Sequence, residues 1–213
     1  RRFAAVSLVL VLAGAAGSTP EARQEALGRI DFPTAQSGAA QSAFLKGVLL
    51  LHSFEYDDAR EAFIEAQKAA PGFAMAHWGE AMTHNHPLWA ETAPELAREA
   101  LSRLAPTPDE RQARAANDKE RDWLRAVEAL YSDGDKPARD TAYAAQMRRM
   151  HDKYPDDAEV TAFYALATLG ASPGGRDAAT YMRAAALVED VYRKNPEHPG
   201  AVHYLIHAYD DPI

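Results

Sequence analysis

Phe54-Glu55-Tyr56-Asp57-Asp58-Ala59-Arg60-Glu61-Ala62-Phe63-Ile64-Glu65-Ala66-Gln67-Lys68-Ala69-Ala70-Pro71 is the stretch on which the fold turns. Asp57-Asp58 reads as a helix start, where short acidic side chains accept orphan backbone N–H groups. Pro71-Gly72 ends the helix. Within it, small Ala59 is followed four positions on by large Phe63, so the two share one face. Gly47 stands twelve residues before Ala59, in the preceding apolar segment. A glycine and an alanine let two paired helices approach, and a phenyl ring fills the space beside them.

Working outward, the same grammar covers the chain. The spacing predicts helices over 38–54, 57–70, 73–86, 93–105, 108–132, 137–153, 157–169, 175–194 and 199–210. Pro87, Pro155 and Pro196 mark further stops, and Thr107-Pro108-Asp109-Glu110 has the form of a capping box. No segment sustains the period-two alternation of a strand. The fold class is therefore all-α, with residues 18–37 a weakly ordered lead-in and 38–213 one helical domain. The 213 residues carry a formal net charge of -8 and no cysteine. Disulfides, thiolate metal sites and cysteine nucleophiles are excluded. The acidic balance argues against a protein that coats nucleic acid or an anionic membrane.

The spacings recur. Tyr143, Met147, Met150 and Pro155 repeat them, followed by Ala158; Ala184, Val188, Val191 and Pro196 do so again, followed by Ala201. From Gly47 to Pro71 the pattern resembles a tetratricopeptide (TPR) repeat, and the resemblance extends over residues 40 to 209 with a degenerate stretch from about 88 to 135. The chain departs from that family at the first-helix positions, where Ala43, Lys46, His77 and Glu80 replace the usual Trp and Leu. It is also similar to the N-terminal part of a group of longer bacterial TPR proteins that share His-rich runs like Ala76-His77-Trp78-Gly79-Glu80-Ala81-Met82-Thr83-His84-Asn85-His86-Pro87. The resemblance implies an α-solenoid of stacked helical hairpins with a concave ligand face. In that register the face carries Phe44, His52, Met75, Trp78, Met82, His86, His203 and His207, and a protein, peptide or small ligand is the expected partner.

The ends point to export. Arg1-Arg2, roughly a dozen apolar residues and Ala13-Gly14-Ala15 have the order of a secretory signal over residues 1–17. The run is shorter than the ~20 residues of a spanning helix. A membrane is therefore expected only through an uncleaved signal, and the chain reads as the first part of a longer periplasmic or extracellular protein, truncated at its C-terminus.

Eight histidines carry the remaining chemistry. His77, Glu80 and His84 lie at i, i+3 and i+7, one helical face that the repeat register makes core. Buried polar groups there need partners. Two readings follow: a hydrogen-bond network, or a metal site of two imidazoles and a carboxylate. His203, His207 and Asp210 repeat the arrangement, beside His198 and Asp211. His-x3-His is a helical zinc spacing, although Tyr204 stands where a zinc protease has glutamate. Zinc or copper is the implied cofactor. No phosphate-binding glycine loop and no nucleophile elbow occurs, Ser132–Lys136 reads as a linker, and the run from Arg111 to Arg125 reads as a solvated face.

Overall fold

Gly47 and Phe63 meet where the first two described helices cross, and Ala59, one turn before Phe63, is buried. The computed structural model describes residues 27–172 and 177–210, so the leader read at 1–17 lies outside the described residues. Helix α1 is Gly38–His52 and α2 is Tyr56–Ala69. The Phe63 ring is wholly buried and lies so close to Gly47 that a Cβ there would stand 2.7 Å from it. Gly79, on α3 (Ala74–Met82), closes the ring from the other side, and a Cβ at Gly79 would overlap it. Two glycines thus clamp one phenyl ring and join three helices.

Among the described residues six further main helices and one short helix follow: α4 (Pro94–Leu104), α5 (Pro108–Ala113), α6 (Asp118–Leu130), α7 (Lys136–Lys153), α8 (Ala158–Gly170), α9 (Ala178–Lys194) and α10 (Pro199–Tyr209). The side chains of Asn117, Asp135, Asp157 and Asp177 cap α6 to α9 by accepting an N–H of the first turn. The Thr107–Glu110 capping box forms as expected. Consecutive helices other than α4 and α5 pack as neighbours, and α1–α3, α3–α6, α8–α10 and α10–α1 also touch. The last described helix therefore returns to the first.

Three expectations need correction. The helix expected over 108–132 is broken at residues 114–117, because Asn117 caps a new start with its own side chain. The helix expected to run to 86 stops at Met82. Pro87 bars His86 from the α region, and Asn85–His86 instead pairs antiparallel with Glu91–Thr92 around a 3-10 turn at Pro87–Trp89. The charged run is not all solvated: Arg111 is buried and forks onto Glu128 (2.5 and 2.9 Å), and Glu120 is buried, accepting the N–H groups of Ala35 and Ala116.

The lead-in is also tighter than expected from residue 27 onward. Phe32 is buried against Phe44 (5.1 Å between ring centres), Trp123 (5.3 Å) and Trp78 (5.8 Å). Its carbonyl accepts from Gln41, and the Arg29 N–H donates to Glu197 O at 2.9 Å. The segment is a strap laid across the inner faces of α1, α3 and α6 to the start of α10. That strap corrects the groove expectation. Phe44, Met75 and Trp78 are completely buried, and Met82 nearly so. They are core under Phe32 and Phe163, the latter 5.5 Å from Trp78, and not the lining of an open channel.

Candidate functional site

Three polar side chains from distant parts of the chain meet beneath this core. His52 closes α1, Glu159 lies in the first turn of α8, and His198 caps α10. Their exposures are 0, 1 and 1%. Gly200 makes the approach possible, since any Cβ there would overlap the His52 ring. His52 Nε2–H donates to Glu159 Oε2 at 2.7 Å, and the Tyr204 hydroxyl donates to His52 Nδ1 at 2.8 Å. His198 Nδ1 accepts the Ala201 N–H at 3.2 Å, which leaves its proton on Nε2. That Nε2 lies 3.1 Å from Glu159 Oε1, yet neither atom has a hydrogen-bond partner among the described residues. They face each other off-line.

Burial alone would raise the Glu159 carboxyl; the adjacent His52 and His198 outweigh it and hold the group down, at about 2. Burial lowers His52 against the pull of the same carboxylate. The resting state is one carboxylate between two neutral imidazoles. Two nitrogens and an oxygen lying within 4.8 Å of one another could hold a metal ion. Among the described residues no other group of three or more such side chains comes together.

Just outside this group the two histidine-bearing segments converge. The His203 Nδ1–H donates to the His52 carbonyl at 2.9 Å, and its Nε2 stands 3.1 Å from His207 Nε2. Phe54 lies between α1 and α2 with φ 62°, a left-handed conformation that costs a bulky residue about 1–3 kcal/mol. That backbone puts its ring 4.2 Å from His203, 5.8 Å from His207 and 5.5 Å from Trp89. His86 stacks on Tyr56 at 3.9 Å, and Tyr56 is parallel to Phe54. His86, His203 and His207 are thus half-buried on one aromatic wall. Asp210, at the exposed end of α10, is not assembled with the pair into a three-ligand group.

The stripe His77, Glu80, His84 does not assemble, and His77 and Glu80 each find partners of their own. Both His77 nitrogens face backbone carbonyls, Ala100 O at 3.1 Å and Pro71 O at 3.3 Å, so neither directs a lone pair at an ion. Glu80 is held by Gln67 (2.6 Å) and by Arg103. His84 opens instead on a surface hollow with Arg60 and Glu91. The three do not converge, and the metal reading of this stripe is corrected. His77→Leu is expected to destabilise the protein by about 1–3 kcal/mol in urea melts, because a carbonyl facing the imidazole loses its donor.

Sequence reasoning placed His52 on a groove and missed Glu159 altogether. Glu159 follows the capping Asp157 in Pro155-Asp156-Asp157-Ala158-Glu159 and looks like any first-turn acid. The only local signal was His198 in an N-cap position, a place that Asn, Asp or Ser usually takes. No protein-family model matches the chain, and no curated protein or solved structure matches it either.

Proposed function

We propose that the protein is a metal-binding helical scaffold, built of TPR-type hairpins, whose ion of the zinc or copper kind sits at His52, Glu159 and His198. The observation that carries this reading is the pair Glu159 Oε1 and His198 Nε2, wholly buried, 3.1 Å apart and without hydrogen-bond partners. Two ligands at about 2.0–2.2 Å from one tetrahedral ion stand roughly 3.3 Å apart. An ion off the N···O line would satisfy both atoms. The TPR part of the proposal rests on the Gly47–Ala59–Phe63 crossing and the recurring proline stops. The peptide-groove reading loses its basis with Phe44, Met75 and Trp78 under the strap.

One observation favours a second reading, a metal-free hydrogen-bond lock. His198 Nδ1 caps α10, and an imidazole that accepts at Nδ1 carries its proton at Nε2, where the ion would bind. Metal binding and capping therefore compete for one ring. Metal analysis of the purified chain, with melts in EDTA and in added zinc or copper, decides. The metal reading expects one ion per chain, a melt raised by the ion in the wild type and unmoved in Glu159→Gln, and a His198 proton at Nδ1 in nitrogen NMR. An unshifted wild-type melt with the proton on Nε2 leaves the lock.

A further inference from the structure

Beside the aromatic wall, a cavity opens between α1, α7, α8 and the hairpin. Its walls include Leu51, Met82, Phe163 and Leu166, and Phe54 stands at one side. Its volume is about 20 Å³, more than the ~10–15 Å³ that one water needs. Eight buried side-chain polar atoms lack a hydrogen-bond partner among the described residues, and three of them belong to residues lining this one cavity: Tyr56 Oη, Asn85 Oδ1 and Tyr143 Oη. Asn85 and Tyr143 are 94–95% buried by their exposures of 6 and 5%. Orphaned buried groups are few in native proteins, and three at one cavity ask for an occupant.

The occupant's chemistry follows from counting. Burial pushes both phenols up, so both keep their protons as donors, and Asn85 offers an acceptor. An oxygen placed within reach of the three would accept twice and donate once. Water would do so with one O–H left over, facing hydrocarbon. An alcohol replaces that O–H with carbon, which suits Leu51, Met82 and Leu166. A carboxylate lacks the proton for Asn85 and meets Asp140 on the same lining. We propose that this cavity binds the hydroxyl group of a small neutral alcohol, held by Tyr56, Tyr143 and Asn85.

The test is an NMR titration of the full chain in EDTA, which keeps it independent of the ion, with 1-propanol, acetone and propionate as probes. Propanol is expected to give saturable shifts at the Asn85 side-chain amide and at Gly170, with acetone at least fivefold weaker and propionate inert. Tyr143→Phe should weaken propanol about tenfold. That variant keeps the fold, since the hydroxyl bonds nothing in the protein. Ala167→Val, which fills the space, should abolish binding. No saturable propanol shift, equal binding of propanol by Tyr143→Phe, or a water that stays at the three groups under saturating propanol would each overturn the proposal.

Discussion

Glu159→Ala lowers the stability of the metal-free protein by about 3–5 kcal/mol, the range found when one partner of a buried charged group is removed. The variant leaves the His52 Nε2–H buried with nothing to accept it. The comparison that isolates this cause is the combined change His52→Leu, Glu159→Leu, His198→Leu and Tyr204→Phe, the last because the buried Tyr204 hydroxyl bonds His52. Replacing a whole buried polar group by apolar ones is often close to neutral, so the combined variant should lose less than Glu159→Ala alone, apart from the ~1 kcal/mol of the lost cap. Acid should act in the same direction. Glu159 and His52 both titrate lower in the folded chain than in the unfolded one, so the unfolded state binds more protons and stability rises with pH. The His52 share is complete above its unfolded value of 6.5 and is lost as the pH falls below it. The Glu159 share is complete above 4.5 and is lost toward 2. Melts of EDTA-treated protein from pH 8 to 3 should fall in that order. A flat profile would contradict the assigned protonation states.

Phe63→Ala should cost about 3–5 kcal/mol in denaturant melts, with the slope unchanged. The ring is clamped between Gly47 and Gly79, so its removal opens a space that three helices border and none can fill without moving. The same contact makes a second, opposite prediction. Gly79→Ala in the wild type forces a methyl into the ring and should cost about 1–3 kcal/mol. In the Phe63→Ala background that methyl enters a void, so the cost should vanish or reverse. A double-mutant cycle reads the difference directly. Additive losses would mean that ring and glycine do not share a contact.

The clamp was legible because it is local. Ala59-x3-Phe63, Gly47 and the terminal prolines fix which faces meet, and α1 and α2 follow. What covers a face is another matter. Repeat spacing put Phe44, Met75 and Trp78 on an open ligand face, and only tertiary structure shows them buried, with Phe32 laid against Phe44 and Trp78. Glu159 was invisible for a related reason. Its partners sit 107 and 39 positions away, on helix ends whose own sequence satisfies ordinary start and stop rules. The stripe His77, Glu80, His84 broke the register openly, but its members part: Gln67 and Arg103 answer Glu80, backbone carbonyls answer His77, and His84 faces a surface hollow. Local conflict flagged polar burial but not its chemistry.

The strap at residues 27–37 sets a schedule. It is made before any described helix, yet its anchors are made far later: Glu120, 85 positions from Ala35, and Asn195, which donates to the Arg29 carbonyl across 166 positions. During synthesis Phe32, Phe44 and Trp78 must therefore wait with one side bare until Trp123 arrives, and the end of the strap at Arg29 stays untied until Asn195 and Glu197 are made. Closure is a step of high sequence separation, and such steps are slow. A growing or prematurely ended chain shows an aromatic surface that the finished one hides, which is the kind of surface that chaperones bind and that drives aggregation.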